Sequence, residues 1–216
     1  MPTILVYGDS NSHGTPPMAE RGVWQRMTAA KRWPMVMQRA LGAEWDVIVE
    51  ALPGRTTVHP DPVEGQHKNG LPPLRAILES HAPLDLVVLM LGTNDLKMRF
   101  NLPAIDIATS VGRLIEEVRN SAAAGDIMVV CPAPVREVGC LADVFQGAET
   151  RGAGLFVHMM QEAARRGCGF VDAGAHVSVD PLDGVHLDVR AHAVLGAAMA
   201  EAVRDRHARM QKGPLA

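Results

Sequence analysis

Five short, predominantly apolar runs punctuate the chain, and between them lie longer stretches in which apolar residues recur every three or four positions. The runs are 3–7 (TILVY), 46–51 (DVIVEA), 86–91 (LVVLML), 127–131 (IMVVC) and 169–172 (GFVD). They are rich in β-branched residues and mostly bounded by Gly, Pro or Asp, the pattern of strands buried on both faces. The longer periodicity predicts helices at 33–41, 74–81, 105–123, 151–166 and from 189 to about 209. In the last of these Val189, His192, Ala193, Gly196, Ala197, Ala200 and Val203 share one face. Strand–helix alternation of this kind implies an α/β fold, a three-layer α/β/α sandwich around a five-stranded parallel sheet.

Two segments, 13–28 and 58–73, interrupt the alternation with Pro, Gly and polar residues, and loops of that length are usually functional. No repeat or linker divides the 216 residues, so a single domain spanning 1–216 is expected. A fold of that size buries roughly 70% of its unfolded surface without staples. Aromatic residues make up only 4% of the chain, which leaves the core to Val, Leu, Ile, Ala and Met.

An open parallel sheet binds ligands beyond the carboxyl ends of its strands, so the residues that follow each run are the candidates for chemistry. The first run leads into Gly8-Asp9-Ser10-Asn11-Ser12-His13-Gly14, the second into Pro53-Gly54-Arg55-Thr56-Thr57, and the third into Gly92-Thr93-Asn94-Asp95. Beyond the fifth stands Asp183-Gly184-Val185-His186. A hydroxyl, a glycine amide, an asparagine amide and an Asp/His pair thus converge on one rim.

A serine hydroxyl needs an adjacent base to accept its proton during attack, and His186 is the candidate for Ser10. Three residues separate it from Asp183, close enough for the carboxylate to hold the ring at Nδ1 and leave Nε2 for the serine. Ser12 is the rival nucleophile, though it lies farther from the strand end. Asp95 reads as an Asx turn or helix cap.

These four blocks, in this order, resemble the SGNH hydrolases, also called GDSL esterases: the GDS serine, the isolated glycine, the G-x-N-D turn and the late D-x-x-H. The pair Arg32-Trp33, the run Gly54 to Thr57 and the L-G-T-N-D run look most like bacterial arylesterases with acyltransferase and perhydrolase activity. The resemblance implies a flavodoxin-like SGNH fold, a triad of Ser10, Asp183 and His186, and an oxyanion hole formed by the N–H groups of Ser10 and Gly54 with the side-chain amide of Asn94. It also implies a small ester as substrate, short-chain acyl groups, no cofactor, and a homo-oligomer in which the 58–73 loop covers the site or meets a neighbour. Many arylesterases of this branch carry Leu directly after the nucleophile and Trp before the closing glycine. Here these positions are Asn11 and His13, which are therefore the candidate substrate contacts and point to more hydrophilic esters.

The remaining observations restrict the alternatives. A net charge of −3 offers no basic surface for nucleic acid. Cys131, Cys140 and Cys168 have no C-x-x-C spacing, and His59, His67 and His176 no metal-ligand spacing, so neither disulfides nor a metal are expected. The N-terminal apolar run is too short for a signal sequence or a membrane span, and a cytoplasmic location is expected. A carbohydrate acetylesterase is the rival enzyme; a non-catalytic flavodoxin-like binding module is the rival of another class, and the chain lacks the G-x-G-x-x-G or P-loop of a nucleotide-binding version.

Overall fold

In a computed structural model, which describes residues 1–211, the five apolar runs form one parallel sheet. Its strands are β1 (Thr3–Gly8), β2 (Asp46–Ala51), β3 (Leu84–Met90), β4 (Ala124–Cys131) and β5 (Gly169–Asp172), in the spatial order β2-β1-β3-β4-β5. The chain moves outward in opposite directions on the two sides of β1, which places a topological switch point between β1 and β3. Registers are flush at this point: Gly8 is level with Ala51 of β2 and with Met90 of β3. The residues that follow the three strands consequently emerge at one height.

Alternation along the strands sends successive side chains into two separate cores. Leu5, Tyr7, Val87, Leu89, Val129 and Cys131 pack with α3 (Leu71–His81), α4 (Ala104–Ser121) and α6 (Leu155–Arg165). Ile4, Val6, Val88, Met90, Met128 and Val130 pack with α2 (Trp33–Leu41) and α7 (Val189–Gln211) on the opposite face. The result is the three-layer α/β/α arrangement expected.

Two helix boundaries differ from the sequence reading. The helix expected from 74 begins at Leu71 and takes Pro72 and Pro73 into its first turn, where the missing N–H groups have no intrahelical partner to lose. The helix expected over 151–166 is two helices, α5 (Ala148–Arg151) and α6, because Gly154 adopts a left-handed φ of 85° between them. The 58–73 segment is correspondingly shorter than expected as a loop, and it contains a single 3₁₀ turn at Gln66–Lys68.

Candidate active site

The nucleophile block folds into the single turn α1 (Ser10–His13) directly after β1. Asp9 caps this turn, its Oδ1 accepting the N–H of Asn11 at 3.0 Å. Gly8 is required for close packing, since a Cβ there would stand 2.2 Å from Ser12 Oγ. Ser12 is thereby committed to the interior, fully buried, whereas Ser10 lines a cavity of about 750 Å³. His186 and Gly54 line the same cavity, together with Asn94 and His13.

Asp183 and His186 form the pair the spacing suggested. Nδ1 of His186 lies 2.7 Å from Asp183 Oδ2, which leaves Nε2 as the ring nitrogen not engaged with the carboxylate. Asp183 is fully buried yet completely satisfied: Oδ1 accepts the N–H groups of Val185 and His186, and Oδ2 also accepts that of Met18. Burial alone pushes its carboxyl up, but the hydrogen bond and charge of His186 with these N–H groups outweigh it and hold the group below its ordinary value.

The opposite wall follows β2 and β3. Gly54 adopts a φ of 81°, a left-handed backbone conformation that favours glycine, and a Cβ there would also push against Glu64 Oε2 at 2.5 Å. Nδ2 of Asn94 donates to Arg55 O at 3.1 Å and reaches Asp9 Oδ2 at 3.4 Å. Burial raises the carboxyl of Asp9 to about 6, against the opposing effects of the Asn11 N–H and the nearby His186. His13 is pushed down to about 4 by partial burial and by Arg26 and Arg32, so it is neutral at neutral pH.

Two expectations are corrected. Asn11 does not line the cavity: it is 3% exposed, and its amide spends both ends on backbone, Nδ2 donating to Val185 O and Oδ1 accepting from Leu187 N, each at 3.0 Å. Asp95 is no Asx cap; its carboxylate accepts the N–H of Thr57 at 3.0 Å and the Thr57 hydroxyl, fixing the segment that carries Gly54.

Two charged arrangements escaped the sequence reading. Arg55 stacks 4.1 Å over the Tyr7 ring and donates to the carbonyls of Gly8 and Glu50, tying the Gly54 turn to the ends of β1 and β2. Asp61 is fully buried between Lys97 and Arg99, and Lys97 also binds Glu64 at 2.6 Å. The signal for these was a charge inside a loop, which on its own does not distinguish a buried pair from a solvated one. Among the described residues no three His, Cys, Asp or Glu side chains gather as a metal site requires, and no helix is long and apolar enough to cross a membrane.

Residues 6–194 match the model of the GDSL-like lipase/acylhydrolase family. The chain belongs to that family. Its fold agrees with the inhibitor-bound aryl esterase of M. smegmatis, at 34% identity over 95% of this chain and 99% of that one, with a TM-score of 0.90. Est24, a carbohydrate acetylesterase from Sinorhizobium meliloti, shares 32% identity over the same fractions at a TM-score of 0.91. A carbohydrate acetylesterase family member from the same organism shares 35% over 95% and 98%, at 0.86. No curated protein matches the chain. This GDSL family member is a carboxylic ester hydrolase with the SGNH fold, and the reading as a non-catalytic binding module falls away.

Proposed function

We propose that the enzyme hydrolyses short-chain acyl esters through an acyl-enzyme on Ser10. The observation that supports this most is the buried Asp183–His186 pair on the cavity that Ser10 also lines. Ser10 Oγ attacks the ester carbonyl carbon while His186 Nε2 takes its proton; the tetrahedral adduct then expels the alcohol, which leaves with that proton. Water repeats the sequence on the acyl-enzyme and releases the acid. Asp183 holds the imidazole in the required tautomer and favours its charged form.

The developing oxyanion is assigned to the N–H of Ser10, the N–H of Gly54 and Nδ2 of Asn94. Ser10 is the first residue of α1, where helix N–H groups lack intrahelical acceptors. The N–H that Asn94 Nδ2 directs at Asp9 Oδ2, with nitrogen and oxygen 3.4 Å apart, is weakly held, and an oxyanion is a stronger acceptor for it.

Leu141, Val144, Phe145 and Val185 give the cavity an apolar side, which suits a short acyl chain and lets alcohols or hydrogen peroxide compete with water for the acyl-enzyme. Glu64, His67 and Lys68 give it a polar side. That polar side favours a second reading, an acetylesterase acting on decorated carbohydrates, in line with the likeness to the S. meliloti proteins.

Treatment of the folded protein with a fluorophosphonate, followed by peptide mass spectrometry, is expected to place the label on Ser10. A label on Ser12, or none, overturns the assignment. Rates on p-nitrophenyl esters of increasing chain length, set beside acetylated sugars, are expected to fall with chain length and separate the two readings.

A further inference from the structure

We propose that Asn11 is a positioning residue that sets the alignment of His186 against the nucleophile, an inference that rests on the pairing of Ser10 with His186 above. The backbone around the imidazole takes most of its hydrogen bonds from its own segment, and Arg136 N donates to Gly184 O at 2.8 Å from the loop after β4, on the side away from the nucleophile's turn. Val185 N and His186 N donate to Asp183, and His186 O accepts from Asp180 N at 2.8 Å. Those bonds give the loop its shape but not its place relative to Ser10.

Asn11 supplies the place. Its amide spans the residues flanking His186, with Val185 O at Nδ2 and Leu187 N at Oδ1. Asn11 is covalently joined to Ser10 and is itself fixed by Asp9 through its own N–H. One peptide bond and one side chain therefore connect nucleophile to base. Met18 N, the other donor reaching this loop from the nucleophile's side, binds Asp183 from the following loop and lies eight residues beyond Ser10.

Only a carboxamide meets both requirements at this reach, because one end must accept and the other donate. Aspartate satisfies Leu187 N but sets a carboxylate against Val185 O. Leucine satisfies neither and leaves a carbonyl and an N–H unpaired between side chains that are almost fully buried. The polar residue that follows the nucleophile here thus serves the catalytic base and not the substrate.

The test compares wild type with Asn11→Leu and with the isosteric Asn11→Asp, measuring kcat/KM on p-nitrophenyl acetate and ethyl acetate. p-Nitrophenolate leaves without a proton, whereas ethoxide needs one from the imidazolium, so a displaced His186 harms the second ester more. A misplacement on the order of 1 Å costs about 10²-fold. The expected result is a loss of that size on ethyl acetate, about tenfold less on p-nitrophenyl acetate, carried by kcat with KM little changed. Equal losses on both esters in both variants, or none, overturn the positioning role. Fluorophosphonate labelling of wild-type Ser10 keeps the two readings apart: no label sinks the esterase mechanism, while a normal label with an unchanged ester ratio in the variants sinks the role of Asn11 alone.

Discussion

The cavity is walled by two long loops that the sequence presents as equals and the structure treats in opposite ways. The loop after β2 is nailed down. Thr57 is bound to the buried Asp95, Asp61 is enclosed by Lys97 and Arg99, and Lys68 donates to Pro53 O at 2.8 Å. The loop after α1 is held mainly at its ends: Met18 N on Asp183, Met27 N on Gly14 O and the Arg26 guanidinium on His13 O. Between these anchors residues 19–26 are exposed, and Trp24 keeps 83% of its surface in solvent. A donor that must meet an oxyanion within a fraction of an ångström belongs on the first kind of wall. Contacts that select among substrates tolerate the second.

Removing the buried charge beneath the fixed wall is expected to have the largest effect. Asp61→Ala strips one of two carboxylate acceptors from Lys97, which is only 2% exposed and keeps Glu64, and the side-chain acceptor from the N–H groups of Val63 and Glu64. Breaking a buried pair in this way costs about 3–5 kcal/mol. The wild-type contribution also has a pH signature. Burial pushes the Asp61 carboxyl up, but the two N–H groups, Lys97 and Arg99 prevail and hold it down at about 2. A carboxyl depressed on folding stabilises fully above its unfolded value near 3.8, and that stability is lost as pH falls towards 2. Thermal melts at pH 7 and pH 3 should show the variant's deficit shrinking at the lower pH; a deficit that stays constant means the wall is not anchored by this charge.

Next in size is Asn94→Ala, expected to lower kcat by about 10²–10³ with little change in KM, as loss of one oxyanion donor does. Steady-state kinetics on a short-chain ester decide it. Unchanged turnover removes Asn94 from the mechanism and erases the functional distinction between the walls.

Strands, motif blocks and the Asp183–His186 pair were legible because each is written in a stretch of a few adjacent residues. What was hidden joins distant parts of the chain. Asn11 meets Val185 across 174 positions, Asp95 meets Thr57 across 38, and Lys97 meets Asp61 across 36. A short polar residue beside a nucleophile reads as a substrate contact, and an Asp at a turn reads as a cap, until the partner is known. The division of 151–166 into two helices was written locally, in Gly152-Ala153-Gly154, but a helical periodicity on both sides masks such a break.

The smallest expected effect probes the exposed wall. Trp24 lines the cavity while remaining largely in solvent, so substrate that covers it gains a contact that the free enzyme does not make with itself. An aromatic contact of this kind contributes about 0.5–1.5 kcal/mol, which corresponds to roughly two- to tenfold in affinity. Because the contact lies on a wall that carries none of the proposed oxyanion donors, it is made about equally with substrate and transition state, and such uniform binding appears in KM. Trp24→Ala is therefore expected to raise KM by that factor for an ester with a bulky alcohol, to leave kcat nearly unchanged, and to leave a compact ester such as methyl acetate almost untouched. Measured KM and kcat for the two esters settle the matter. A fall in kcat of more than tenfold on methyl acetate would mean that the exposed loop shapes the reacting atoms themselves, and the contrast between a catalytic wall and a selective one would not hold.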